Sequence, residues 1–370
     1  MNCIRPMPIL IPKKNVDLKR WAVVACDQFT SEPSYWATVA RLTDGAYSAA
    51  HLIFPERYLS ENVEERISSI NAAMDKYLAK KIFREIPEGM IAIKRDTPFN
   101  IGRRGLVTSV DLECYSYRPE DKAEIRATEK TILDRIPPRV KIREKASLEL
   151  PHIMVLIDDP HDTVITTAFA NTGKLLYDTE LNMNGGNVLG YSVNNPDAVL
   201  RALDKMAERA EAKGGFAFAV GDGNHSLATA KTIWEKLKPA LSDKERENHP
   251  ARFALAEIVN IYDPAIRFEP IHRVVFGAGA DFLDGLKGGT GGIALTADGE
   301  TVIALPKDAA EAVDYADNYI RKYSEGKAGV SVDYIHGADS LREIVRASGA
   351  VGISMPNMDK PSFFSLVASR

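Results

Sequence analysis

An apolar run, Phe216-Ala217-Phe218-Ala219-Val220, stops at Gly221-Asp222-Gly223-Asn224-His225 and passes at once into a stretch with helical spacing. Of everything in the 370-residue chain, this segment constrains the fold most. A short apolar run bounded by turn residues reads as a buried strand. Leu227, Ala230, Trp234 and Leu237 then recur at intervals of three and four, the stripe of a helix packed on one face. A strand leading straight into a helix belongs to a layered protein, and strand and helix patterns interleave along the rest of the chain. The expected class is mixed α/β.

The turn predicts a ligand site. Gly221 and Gly223 allow backbone conformations and close approach that a Cβ would block. Asn224 is expected to cap the helix. Open amides at a helix start, together with the helix dipole, favour an anion. Asp222 and His225 flank that point: a carboxylate can meet a hydroxyl or a divalent ion, and an imidazole titrates near neutral pH. Gly221, Gly223, Asn224 and Ser226 are therefore expected to hold a phosphate or carboxylate of a small-molecule ligand. Asp222 and His225 are the candidate metal ligands. The same residues would equally make a plain capped turn, with Asp222 bonded to local backbone.

Elsewhere, Trp21 to Cys26 reads as a short strand that brings Asp27 and Gln28 to a pocket edge. Glu61 to Phe83 reads as a helix with Val63, Ile67, Ile70, Met74 and Leu78 inside. Strands are expected at 90–94, 106–112 and 153–157, and hairpins or a loop at 171–195. Pro119 is expected to open a polar helix. Pro196 opens another, with Val199, Leu203, Met206 and Ala210 inside. From Arg252 the texture changes to strands at 252–262, 271–276 and 302–305, followed by a helix at 308–325. Between them GLKGGTGG, residues 285–292, reads as an exposed turn without the Lys-Ser/Thr of a phosphate loop. Length and texture give two lobes, 1–250 carrying the turn and 251–370 completing the pocket.

Composition narrows the partners. With 45% hydrophobic and 26% charged residues the chain can bury a core, and a net charge of −4 argues against a broad nucleic-acid face. The basic stretch Arg135–Lys145 reads as a solvated helix face. Cys3, Cys26 and Cys114 are far apart in sequence, which fits reduced thiols of a cytoplasmic protein better than a disulfide framework or a zinc site. Pro6, Pro8 and Pro12 break the opening apolar stretch, so it does not read as a signal peptide. No apolar run approaches the ~20 residues needed to span a bilayer. Five of the seven histidines have an acid three residues before them, Glu149/His152 and Asp222/His225 included, a spacing that shares a face only on a helix.

GDGNHSLATAK, residues 221–231, resembles the D-G-H-H-R-x-x-A turn of the "domain of unknown function 1015" family. The run 125–131 with Arg135 is similar to that family's E-x-T helix. Leu150-Pro151-His152-Ile153 with Asp158-Asp159-Pro160, and Asp263-Pro264 with Pro270-Ile271-His272-Arg273, resemble further segments. The family's turn is in turn similar to the ParB/sulfiredoxin-like superfamily, where such turns bind nucleotide phosphates. The resemblance implies a nucleotide- or phosphate-dependent enzyme, a phosphotransferase or phosphohydrolase, using Mg²⁺ and a nucleotide. It implies catalytic roles for Asp222, His225, His272 and Arg273, and ligand contacts from Glu129, Thr131 and Arg135. A non-catalytic binding or scaffold protein, or a ParB-like DNA-associated module, are the alternatives. This turn departs from the pattern at Asn224 and Ser226, where a His and an Arg are expected. Arg273 or Lys231 would then have to supply the missing cation.

Overall fold

The computed structural model describes residues 3–30, 32–128, 131, 133, 136–150, 152–212, 215–268, 270–288, 290–357 and 359–369. The chain divides into a first unit, ending at Ile266, and a second, Arg267–Ser369. The first unit runs β1 (Ile9–Pro12), α1 (Leu18–Trp21), α2 (Pro33–Thr43), α3 (Val63–Ala79), β2 (Phe83–Ile86), β3 (Ile91–Asp96), β4 (Arg103–Asp111), β5 (Tyr115–Ser116) and β6 (Ile125–Ala127). It continues through α4 (Ile136–Arg143), β7 (Met154–Ile157), α5 (Thr163–Ala170), β8 (Thr172–Leu181), β9 (Gly186–Val193), α6 (Pro196–Ala212), β10 (Phe218–Asp222), α7 (Asn224–Leu237), α8 (Asp243–Asn248) and β11 (Phe253–Asn260).

Nine of these strands form one mixed sheet in the order β5-β6-β10-β7-β11-β4-β3-β9-β8. Its centre is apolar on both faces: Val155, Ile157, Val220, Ala254 and Ile258 are fully buried on one, and Ala219 and Val259 on the other. Each of the valine and isoleucine side chains contributes roughly 1.5–3 kcal/mol by leaving water. α6 covers the sheet through Val199, Leu203 and Met206, and α7 through Leu227, Ala230 and Trp234, at the intervals the sequence predicts. Ala210 is only partly buried, and Leu237, the last residue expected on the α7 stripe, is exposed. α3 buries Ile67, Ile70, Met74 and then Tyr77 rather than Leu78, because Tyr77 packs on Trp21 and Tyr47.

Several expectations change. Trp21–Cys26 is not a strand: Trp21 ends α1, and the chain from 22 to 25 has no regular structure. Pro119 opens only a single 3₁₀ turn. Residues 125–127 are a strand pairing in parallel with β10, not a helix. The units divide after Ile266 rather than near 250, because β11 lies inside the large sheet between β7 and β4.

The second unit contains β12 (Ile271–Phe276), β13 (Gly292–Thr296), β14 (Gly299–Ile303), α9 (Ala309–Ser324), β15 (Ser331–His336), α10 (Ala338–Ser348), β16 (Val351–Ser354) and α11 (Lys360–Ser369). Its sheet is antiparallel, in the order β14-β13-β16-β12-β15. Strand alternation splits two neighbours between two cores: Val275 packs with Ala312, Ala316 and Ile320 of α9, and Val274 with Leu341 and Val345 of α10. GLKGGTGG is not a wholly exposed turn. Leu286 is buried, and a Cβ on Gly291 would lie 1.7 Å from the Leu305 carbonyl oxygen. No helix among the described residues is long and apolar enough to cross a membrane.

Candidate functional site

The turn is positioned by strand pairing. β10 runs antiparallel to β7, with Asp222 opposite Met154. The carboxyl end of β10 therefore meets the residues that lead into β7, and His152 comes to Asp222. A register shift between Val220 and Asp222 breaks the ladder at Gly221, where the Leu156 side chain would be 2.8 Å from an added Cβ. Gly223, at φ 77 and ψ 27, turns the chain into α7. It occupies the N-cap position expected of Asn224, and no side chain caps the helix. Asn224 is instead the first helical residue. It is buried, and its Oδ1 has no hydrogen-bond partner among the described residues.

Asp222 accepts a hydrogen bond from the Gly223 amide at 2.7 Å. Its companions are Asp27 and His152: one donor atom from each of the three lies within 4.8 Å of the others. His152 Nε2 is 3.2 Å from Asp27 Oδ2. Burial alone would lower the His152 pKa, but its contacts with the Asp27 carboxylate and the Cys26 sulfur prevail and push it up to about 10. Asp27 responds in the opposite sense: burial would raise it, yet the imidazolium holds it below the usual carboxylate range. Asp222 is raised, first by burial and then by the like charge of Asp27, against the Gly223 hydrogen bond.

A cavity of about 640 Å³ opens on this cluster, lined by Gly221 to Ser226 together with Cys26, Asp27 and His152. Leu52, Phe54, Ile70, Met74 and Leu148 give it an apolar wall. α4 contributes Arg139, paired with Glu56, and Arg143. Arg143 Nε donates to Glu149 Oε1 at 2.6 Å, while Nη1 donates to the Ser226 carbonyl at 2.7 Å and approaches its hydroxyl at 3.4 Å. Arg139 and Arg143 of the basic stretch thus face a cavity rather than solvent, and Arg143 is only 15% exposed.

The structure brings only some of the expected site residues together. Gly221, Asp222, Gly223, Asn224, His225, Ser226 and Asp27 line one cavity. Gln28 borders Asp27, its amide 3.4 Å from that carboxylate, and its carbonyl accepts from Trp36 Nε1. The donors that converge with Asp222 are Asp27 and His152 rather than His225. Thr131 is buried, with no partner for its hydroxyl among the described residues, while Glu129 and Arg135 lie outside those residues. His272 and Arg273 belong to the second unit. There the Met355 amide donates to His272 Nδ1 at 3.1 Å, and Arg273 pairs with Asp317 and lies over the Tyr334 ring. Lys231 donates to the Leu112 carbonyl and pairs with Glu235.

The sequence matches, over residues 4–316, the family described as protein of unknown function DUF1015. The chain belongs to this family. The match takes in the whole β7–β10–α7 region and its cavity and reaches into α9. No curated protein and no solved structure gives a significant match. His152, Arg143 and Glu149 are among the cavity residues that the sequence did not assign to the site. A signal existed for His152, which immediately precedes a strand able to pair with the one ending at Asp222. Glu149 shares with His152 the acid–histidine spacing already noted, whereas nothing in the spacing points to Arg143.

Proposed function

We propose that the cavity at the Gly221–Ser226 turn is an active site for metal-assisted phosphoryl transfer or phosphate hydrolysis on a small metabolite. The observation that carries this reading is the convergence of Asp27, His152 and Asp222 at the start of α7. Two carboxylates and an imidazole make a mixed oxygen–nitrogen donor set, which suits Mn²⁺ or Zn²⁺ better than the oxygen-seeking Mg²⁺. Such an ion would offset phosphate charge and acidify a bound water. The chain's own residues do the remaining work. α7 turns the positive end of its dipole toward the turn. Arg143 offers a guanidinium suited to phosphate, oriented by Glu149. His225, the second residue of α7, serves as acid–base or charge-stabilising group. The apolar wall takes the uncharged part of the ligand and excludes water. The turn's likeness to ParB/sulfiredoxin-like phosphate turns supports the same class of ligand.

A thermal-shift series tests this with Mn²⁺, a weak partner for thiolates, alone and with inorganic phosphate or adenine nucleotides. The proteins are wild type, Asp222→Asn and His225→Ala. At a hundredfold excess over its dissociation constant, Mn²⁺ stabilises the wild type by about 2.7 kcal/mol, and phosphate or nucleotide adds to that only when Mn²⁺ is present. Asp222→Asn loses the Mn²⁺ shift. His225→Ala keeps it but loses the phosphate increment. A Mn²⁺ response in Asp222→Asn equal to that of wild type would remove the metal, and with it this reading.

A further inference from the structure

A second group of metal-capable side chains shares no residue with that cavity. Cys3, Cys114 and Glu124 each place a donor atom within 4.8 Å of the other two. They come from three distant points in sequence, and the backbone explains their meeting. The Cys3 carbonyl accepts from the Asp111 amide at 2.8 Å, Ile4 bridges Val110, and the Arg5 amide donates to Ser109, so residues 3–5 lie antiparallel along β4. Cys114 ends the 3₁₀ turn that directly follows β4. Glu124 immediately precedes β6.

Cys3 is 2% and Cys114 4% exposed, and the Cys3 thiol donates to Glu124 Oε2 at 2.6 Å. The three groups are all acids. Hydrogen bonding to Cys114, burial and Glu124 together raise the Cys3 thiol far above its ordinary range. The nearby guanidinium of Arg252, which senses Cys114, is committed to Asp111 through contacts of 2.7 to 3.1 Å. Two thiols used only for packing would have no need of a carboxylate turned toward them, since S–H is a weak donor and a carboxylate is better served by water. A disulfide would have no use for it either. Beside the cluster lies a cavity of about 680 Å³, lined by Cys114, Tyr115 and Glu124 among others. The Tyr115 hydroxyl is buried without a partner among the described residues.

We infer that Cys3, Cys114 and Glu124 form a binding site for a thiophilic dication of the Zn²⁺ class, with the adjoining cavity supplying a water or other exchangeable fourth ligand. Two sulfurs and one carboxylate are a three-ligand set that leaves one tetrahedral position open. Binding forms two metal–sulfur bonds and one metal–oxygen bond and releases the two thiol protons to solvent. The site carries one net negative charge when both thiolates and the carboxylate are bound to M²⁺. This site is independent of the proposed chemistry at Asp222.

The test uses the reduced full chain carrying Cys26→Ser and Asp222→Asn, so that Cys3 and Cys114 are its remaining thiols and the other cluster has lost a carboxylate. Co²⁺ is the probe. The expected result is one equivalent bound, an intense near-ultraviolet cobalt–thiolate absorption, displacement by Zn²⁺ and proton release. Cys114→Ser added to this background abolishes the one-to-one complex. Glu124→Gln, an isosteric change at a partly exposed position, retains the absorption and weakens binding at least tenfold. Absence of a cobalt–thiolate band in the parent overturns the inference whether or not the cysteine variant folds. So does a Glu124→Gln protein that binds Co²⁺ as tightly as the parent. Air oxidation to a Cys3–Cys114 disulfide at a rate unchanged by Zn²⁺ would identify a redox pair instead, and would equally overturn it.

Discussion

Gly223→Ala isolates the geometry on which the site depends. Gly223 has φ 77, in the left-handed region, and an added Cβ would lie 3.0 Å from Ile153 Cα, 3.2 Å from Ile153 Cγ1 and 3.4 Å from the His152 carbonyl oxygen. Two costs follow. The left-handed conformation costs an alanine about 1–2 kcal/mol, of which about 0.4–1 kcal/mol is returned because alanine restricts the unfolded chain more than glycine. The contact with the Ile153 backbone adds overpacking of about 1–3 kcal/mol, since β7 sits inside the sheet and cannot simply move away. Gly45→Ala is the control for the first cost: φ is 68, and nothing lies within 4 Å of its Cβ. The expected destabilisation is therefore about 1 kcal/mol at Gly45 and about 2–4 kcal/mol at Gly223. For a unit of this size each kcal/mol moves the melting temperature by about 2–4 °C, so calorimetry and urea unfolding resolve the two variants. Because the contact falls on the residues carrying His152, the Mn²⁺-induced shift of Gly223→Ala also falls, while that of Gly45→Ala does not. Equal destabilisation by the two substitutions would refute the close approach of the turn to β7.

Two further outcomes are expected. Burial would raise Asp162, but hydrogen bonds from Asn260, Arg104 and Thr166 hold it below the usual carboxylate range. Its stabilising contribution is thus fully present above the unfolded value of about 3.9 and is lost as pH falls through the lower folded value. Asp162→Asn should be the less stable protein in urea at pH 7, with the gap to wild type closing toward pH 3; a gap that persists undiminished in acid contradicts the assignment. Arg143→Ala should weaken inorganic phosphate binding in the presence of Mn²⁺ by tenfold or more, since a charge-assisted bond contributes about 1.5–3 kcal/mol. Mn²⁺ binding itself should not change and Arg143→Lys should restore part of the loss, so a calorimetric titration in which phosphate affinity is insensitive to both changes would exclude Arg143 from the ligand site.

What could be read in the sequence was local. The stripes of α6 and α7 and the run at 271–276 are set by side-chain period, and they lie where periodicity places them, apart from the exposed Leu237 at the end of the α7 stripe. Trp21–Cys26 misled because its apolar residues serve tertiary packing: Trp21 is held against Tyr77 and Phe83, and period alone cannot distinguish that from a strand. Residues 125–127 form a strand because β10 offers an edge to pair with, which is information about another part of the chain. The same holds for β11, which a local change of texture assigns to a second lobe and strand order places in the first.

The site shows the same division more sharply. The glycines, Asp222 and the start of a helix are local and were legible, as was the departure at Ser226. What answers that departure is not local. α4 rests on α7 through Ile136 and Val140 against Ala228, a side chain small enough to let the helices close. Arg143 lies one turn beyond Val140 on the same face and so arrives at Ser226, where its guanidinium meets the carbonyl and hydroxyl of the turn. An arginine at 226 would bring a second guanidinium to the place Arg143 already occupies, where Glu149 is the carboxylate hydrogen-bonded to it among the described residues. The cation at Ser226 therefore comes from a helix whose packing no spacing rule reveals.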